Sequence, residues 1–292
     1  MDKGVVVREA DRGDCSGLLD VHCPWARGLP RGERLRRCGW WADREACEFY
    51  LGLYRRLGGE VLVAVAGGTV AGEAELLPHD DCLLGPSVYI NVLWVRGDMR
   101  RRGVGRRLVE AAAEWAQGRG YSRLDVIPED GSEGFYAKMG FTRRVEQVKA
   151  VKPLERGSGG ATSHARSLGL QEAPEGMALV AGVYRPGLYT WYTAWLDTYT
   201  RAWRPQAYQL GLDGEPVVLL DPFSEGRASI IAWTRGRPDP GLLETVLAAA
   251  EELAVAAGVW EVFVQTWEWY EPVLARREYR VIDKAPWLSR RL

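Results

Sequence analysis

The stretch from Val88 to Trp115 constrains the fold more tightly than any other part of the chain. Val88-Tyr-Ile-Asn-Val-Leu-Trp-Val95 is rich in β-branched and aromatic residues and has the length of a strand. Val104, Leu108, Ala112 and Trp115 then recur at helical spacing, with Arg106, Arg107, Glu110 and Glu114 on the opposite side. Between strand and helix lies a short loop carrying Arg100, Arg101, Arg102, Gly103 and Gly105. Glycines lacking Cβ let the backbone turn sharply and approach a ligand. The helix start adds unpaired N–H groups at the positive end of its dipole. Taken alone, these glycines could equally serve turn geometry; with the arginines they outline a phosphate or pyrophosphate site.

Val95, Arg100, Gly103 and Gly105 fit the pattern V-x-x-x-x-[RQ]-x-x-G-x-[GA], which resembles the coenzyme A loop of the GNAT N-acetyltransferase superfamily. Phe135-Tyr136-Ala-Lys-Met-Gly140-Phe141 is similar to that family's F-Y-x-K-x-G-F segment. The resemblance spans roughly residues 61–148. It implies an α/β (α+β) fold with a mixed central sheet flanked by helices, acetyl-CoA as cofactor, and transfer of the acetyl group to an amine, on a small molecule or a peptide N-terminus.

Carried over to this chain, the resemblance puts Leu93, Trp94 and Val95 beside the pantetheine arm. Arg100, Arg101, Arg102, Gly103, Val104, Gly105 and Arg106 would hold the pyrophosphate, with Ser132 and Phe135 also at coenzyme A. Tyr136 would be the general acid for the departing thiolate. Many relatives have Glu or His four or six residues before the loop valine, but here those positions are Asn91 and Tyr89, neither a good base near neutral pH. Asp125, in Leu124-Asp125-Val126, matches a segment where ribosomal-protein alanine acetyltransferases carry an acidic base. Glu73 and Glu75 could instead act through water. The missing base leaves a rival reading, a non-catalytic acyl-CoA-binding scaffold or sensor.

Net charge is −1 across 292 residues, so no global field favours nucleic acid or an anionic membrane. Lys3, Lys138, Lys149, Lys152 and Lys284 are the lysines among 38 basic residues, and Asn91 is the lone asparagine. That bias suits a thermophile with few thermolabile residues, and GC-rich coding alone would also produce it. The cysteines at 15, 23, 38, 47 and 82 lack C-x-x-C spacing, and His22, His79 and His164 are scattered. Ordinary buried thiols are expected, with disulfides open for a hyperthermophile, and no metal site. An N-terminus without an apolar leader and a longest apolar run broken by Glu244, Glu251 and Glu252 suggest a cytoplasmic protein.

The expected elements begin with a strand at 5–8 and a helix at 14–28. A basic loop at 30–41 ends in Trp40-Trp41, and a helix at 43–57 has Phe49, Leu53 and Leu57 on one face. Gly67-Gly68 marks a hairpin. Its second strand sets Glu73 and Glu75 on one face, pointing either into solvent or into the acceptor cleft. Trp40, Trp41, Glu73, Glu75 and Asn91 are thus candidates for the acceptor side.

A Gly- and Ser-rich linker at 151–160 divides the expected domains, an acetyltransferase domain at 1–153 and a further domain at 154–292. The C-terminal domain resembles a repeat of the N-terminal one. Gly103 and Gly241, Gly120 and Gly258, and Phe141 and Tyr279 share an offset of 138. The chemistry does not repeat, since Arg100, Arg101 and Arg102 become Pro238, Asp239 and Pro240, and Leu274 stands for Tyr136. Two prolines remove N–H donors and Asp239 repels a pyrophosphate, so the C-terminal copy is expected to be degenerate. Its first helix, expected at 189–203, is crowded with aromatics, among them Tyr184, Tyr189, Trp191, Tyr192, Trp195, Tyr199 and Trp203. This helix is expected to wall the first domain's acceptor cleft, with a homodimer contact or plain core packing as alternatives.

Overall fold

The computed structural model describes residues 4–79, 83–155, 165–183, 185–196, 203–213 and 215–292. The chain forms two compact units. The first comprises residues 1–80, 86–142 and 288–292, and the second residues 81–85 and 143–287. The boundary expected at 153–154 therefore falls inside the second unit. Much of the expected linker, Cys82, His164, Tyr184 and Tyr199 lie outside the described residues.

In the first unit, β1 (Val6–Glu9) leads to α1 (Cys15–His22), α2 (Arg31–Cys38), a 3-10 turn at Gly39–Trp41 and α3 (Arg44–Arg56). The hairpin β2 (Glu60–Ala66) and β3 (Thr69–His79) follows, then β4 (Ser87–Val95), α4 (Val104–Gly118), β5 (Arg123–Val126) and α5 (Glu133–Lys138). Gly67 and Gly68 both have positive φ, +58° and +81°, which suits the two-residue turn read from the sequence. The region expected as a basic loop contains α2, a helix with no buried residue, so no apolar stripe announced it.

Strands β1 to β4 pair antiparallel in order, and β4 pairs with β5 in parallel. Ala74, Leu76, Val88, Ile90, Leu124 and Val126 form a core with Val104, Leu108 and Ala112 of α4. Glu73 and Glu75 alternate with those residues and face the other side of the sheet. Between β3 and β4 the register jumps: Glu75 is opposite Val92 and Leu76 opposite Ile90, which makes Asn91 the extra residue of a bulge.

The second unit contains β6 (Thr142–Pro153), β7 (Ala165–Leu168), β8 (Ala178–Ala181), α6 (Gly187–Leu196), β9 (Gln206–Leu210), β10 (Val217–Ser224) and β11 (Arg227–Thr234). Then come α7 (Pro240–Ala256), β12 (Glu261–Trp267), α8 (Glu271–Arg276) and β13 (Arg280–Arg291). Helices α5 and α8, and strands β6 and β13, begin 138 residues apart (133 to 271, 142 to 280), as the duplication requires. Their last strands are exchanged. β6 of the first repeat pairs with β12 of the second, while Leu288–Arg291 of β13 pair with β5. Leu288 joins the first unit's core, and Leu292 N–H donates to Ser122 O at 2.9 Å.

Part of the aromatic crowd of the second repeat packs within the second unit. Trp191 is fully buried, donates to Leu170 O, and meets Trp233 edge-on at 5.8 Å. Tyr189 is buried as well. The partners of Trp191 are thus the second unit's own residues, as in the core-packing alternative.

Four cysteines correct the expectation of free thiols. Cys15 is bonded to Cys47, and Cys23 to Cys38, with Cα–Cα distances of 5.7 and 6.1 Å. The first bond ties α1 to α3, and the second ties the end of α1 to the end of α2.

Candidate active site

Strand β4 is the spine of the site. It pairs with β5 only at Val88–Leu124 and Tyr89–Asp125. Beyond Tyr89 the two parallel strands separate, and Asn91 to Val95 are half-buried. On that edge no described strand takes their backbone groups. Unpaired strand amides form a template for an extended ligand.

The loop after β4 leads into α4 through Gly103, whose φ of +81° is left-handed. A Cβ there would touch nothing, so the glycine serves backbone conformation and close approach rather than packing. At Gly105 a Cβ would stand 3.4 Å from the Phe135 ring, so the start of α4 packs closely on α5. Arg101 and Arg102 are exposed, Arg100 lies 5.4 Å over the Trp94 ring and donates to Val95 O, and Arg106 faces Glu110. The first N–H groups of α4 have no intrahelical acceptor, so the loop presents a helix dipole and cationic side chains to one place. Ser132, expected at coenzyme A, precedes α5 and donates its hydroxyl to Glu129 O at 2.6 Å, with no side-chain cap on the helix.

Tyr136 is 6% exposed and lies between Phe135 and Phe141, with ring centroids at 5.1 and 5.4 Å. Burial, with a smaller contribution from Glu129, raises its phenol well above the usual range and keeps it protonated.

The other face of the sheet carries a buried polar cluster. Glu73 and Glu75 are 0% and 1% exposed, so the solvent alternative for them does not hold. Glu75 Oε2 accepts from Tyr54 OH, from Tyr50 OH at 3.1 Å and from Asn91 Nδ2 at 2.9 Å. Asn91 Nδ2 also donates to Tyr54 OH at 2.7 Å. Burial and the neighbouring Glu73 raise the Glu75 carboxyl to about 7, against the pull of its hydrogen bonds and of His22.

His22, at the end of α1, donates Nε2 to Glu73 Oε1 and stacks on Trp41 at 5.2 Å and on Trp94 at 6.0 Å. Burial alone would lower its pKa, but the charge and hydrogen bond of Glu73 outweigh that and raise it. Trp40 stacks between Phe49 and Tyr50 at 5.7 and 5.4 Å.

Three members of this cluster are absent from the sequence-based expectations. Tyr50 and Tyr54 stand four apart on α3, on a different stripe from Phe49, Leu53 and Leu57. Phe49 is 49% exposed, while Leu53 is buried together with Cys47, Tyr50, Leu51 and Tyr54. His22 carried no motif signal at all.

Asp125 shares the sheet face but not the cluster. Its carboxylate accepts from Arg123 Nε at 2.9 and 3.1 Å and from Ser289 Oγ at 2.6 Å. These partners, from β5 and from the returning end of β13, hold Asp125 apart from the cluster around Glu75. The described residues contain no group of three or more His, Cys, Asp or Glu suited to a metal ion. No described helix is long and apolar enough to cross a membrane.

Residues 29–141 match the acetyltransferase (GNAT) family model. The aminoglycoside N(6')-acetyltransferase type 1 of Klebsiella aerogenes is 29% identical over 162 residues, covering 53% of this chain and all of that protein. A GCN5-related N-acetyltransferase from Kribbella flavida superposes with a TM-score of 0.64 at 15% identity, over 99% of this chain and 72% of that one. A tandem GNAT protein from the clavulanic acid biosynthesis pathway superposes with a TM-score of 0.51 at 17% identity, over 99% and 98% of the two chains. The half-open β4 edge, the glycine loop and the segment that matches the GNAT acetyltransferase family model lie together in the first unit.

Proposed function

We propose that the first unit transfers an acetyl group from acetyl-CoA to a small-molecule amine. The residues present fit the cofactor. The β4 edge from Leu93 to Val95, which no described strand pairs on that side, suits the amides of a pantetheine arm, and the left-handed Gly103 with Arg100, Arg101, Arg102 and Arg106 suits a pyrophosphate. When bound, acetyl-CoA supplies an activated acyl carbon and a thiolate leaving group. The aminoglycoside relative supports a small-molecule acceptor over a peptide N-terminus.

One observation carries the reading: Glu75, a buried carboxyl with its pKa raised to about 7, is hydrogen-bonded to the bulge residue Asn91 where β4 leaves β5. A carboxylate in that range is matched to accepting a proton from an amine near neutral pH. Tyr136, kept protonated by burial, is suited to returning a proton to the thiolate. Thus Glu75 replaces the base missing at Asn91 and Tyr89, and Tyr136 is the acid.

Thiol release against a panel of amines, polyamines and aminoglycosides, measured across pH, tests this. Because the base works deprotonated, kcat/KM of the wild type should rise with pH and level off above about 7. Glu75→Gln should remove that limb, and Tyr136→Phe should lower kcat by on the order of 10²–10⁴. Acetyl-CoA binding without turnover by any amine would mean a scaffold or sensor rather than this reaction.

A further inference from the structure

The two described disulfides of the first unit differ in access. Cys15 and Cys47 are both buried, and they join α1 and α3, helices with buried faces of their own. Cys23 is buried as well, but its partner Cys38 is half-buried, at the last residue of α2. Arg36 and Arg37 precede Cys38 in the last turn of that helix. Both are exposed, and their charges offset the negative end of the helix. Thiol–disulfide exchange begins when an anionic thiolate reaches one sulfur of the bond. Cys38 is the sulfur with access, and its surroundings attract the attacking charge.

What this bond holds is a helix with no buried residue. Without an apolar face, α2 gains little from packing. Its other ties to its surroundings are polar. Arg34 donates Nε to Ala42 O at 2.9 Å, and the exposed Arg31 reaches Asp43 at 2.6 Å and Glu45 at 2.8 Å. Exposed ion pairs of this kind contribute little. The helix is also flanked by two places where the chain can turn: the extended Pro30 before it, and after it Gly39, whose φ of +53° suits glycine. Beyond Gly39 the chain has its own hold, since Trp41 stacks on His22 at 5.2 Å and meets Tyr50 edge-on at 5.0 Å.

We propose that Cys38 is a thiol-exchange site selective for small anionic thiols, and that the Cys23–Cys38 bond is the latch that holds α2. The incoming thiolate attacks Cys38 Sγ. A bond forms between the two sulfurs as the Cys23–Cys38 bond breaks. Its electron pair leaves on Cys23 Sγ, and that thiolate takes a proton from water. A second small thiolate then attacks the sulfur of the first, which releases Cys38 as a thiolate and joins the two small thiols as their disulfide. α2 is unlatched at the first step, because its bond to the end of α1 is already gone. The buried Cys15–Cys47 bond keeps α1 on α3 throughout.

The test uses the full chain and three probes: 2-mercaptoethanesulfonate as the anionic thiol, 2-mercaptoethanol as the neutral one and cysteamine as the cationic one, with each rate taken per thiolate. Peptide mapping by mass spectrometry should find the first adduct on Cys38 while Cys15–Cys47 is still intact. The anionic probe should react at least ten-fold faster than the cationic one, and Arg36→Gln combined with Arg37→Gln should remove that preference. In the wild type, trypsin cleavage after Arg36 and Arg37 should speed up ten-fold or more once the adduct forms. A first adduct on Cys23, or opening of both disulfides at one rate, would overturn the exchange site. Equal rates for the anionic and cationic probes would overturn its selectivity. An adduct on Cys38 with unchanged cleavage would overturn the latch. No readout involves acetyl transfer, so the latch and the proposed reaction stand or fall separately.

Discussion

In the first unit β4 parts from β5 after Tyr89, and its edge from Asn91 to Val95 stays half-buried and without a strand partner. In the second unit β11 parts from β12 in the same way, after Ile230 and Val264. There the interval is filled by the chain itself. Ala232, Trp233 and Thr234 of β11 pair with β8, Gly182 N–H donates to Gln265 O at 2.7 Å, and Thr266 Oγ1 donates to Val180 O at 2.6 Å. β8 thus lies where the first unit leaves room for an extended ligand. The second repeat thus differs from the first in two respects: it lacks the loop arginines, and a strand of its own lies in the interval. Diverging parallel strands expose amides that must find partners, and the two units satisfy that demand by different means.

The largest effect should come from the exchanged strand. Deleting residues 288–292 removes Leu288 from the first unit's core and Ser289 from Asp125, leaving β5 an open edge. Loss of one buried leucine and a strand edge should cost at least about 4 kcal/mol. Urea unfolding would report it, together with lost acetyl-CoA binding. If both survive the deletion, the first unit does not depend on the returning strand.

A loop transplant sharpens the contrast. Arg100→Pro, Arg101→Asp and Arg102→Pro together give the first unit the loop of the second. Calorimetric acetyl-CoA affinity should fall about a hundred-fold, or about 2.7 kcal/mol. The reciprocal change, Pro238→Arg, Asp239→Arg and Pro240→Arg, should leave the stoichiometry at one per chain, because β8 still fills the slot. An additional binding site in that variant would show that the loop alone decides.

A local effect separates the units by redox chemistry. The described disulfides are both in the first unit, across sequence separations of 32 and 15 residues. Their reduction should cost about 2–4 kcal/mol each. Hydrogen exchange under a thiol reductant should speed up in α1, α2 and α3 and remain unchanged in α6 and α7. Equal acceleration in both units would mean that the bonds do not act locally.

Much of the fold was legible because local patterns and tertiary needs agree. Val88–Val95, the glycine loop and the stripe from Val104 to Trp115 appear as β4, loop and α4, since each side of that helix has one environment. The constant offset of 138 likewise predicted matching elements, down to α8 and β13. The acceptor side was much less legible. Glu73 and Glu75 on one face follow from strand alternation, but whether that face is wet depends on α1 and α3, which approach from distant parts of the chain. His22 matters only because 51 residues later Glu73 lies beside it.

The sequence by itself determined the glycine turn after β4, the helix behind it and the duplication, because these rest on local backbone geometry and on periodicities of two and 3.6 residues. Which cysteines bond, which carboxylates are buried, which aspartate is held by Arg123 and Ser289, and which repeat receives the last strand were decided by tertiary structure. Each depends on groups far apart in the chain, whose partners are set only when the sheets close: a side chain's neighbours across strands are fixed by register and burial, and neither is written in its own stretch of sequence.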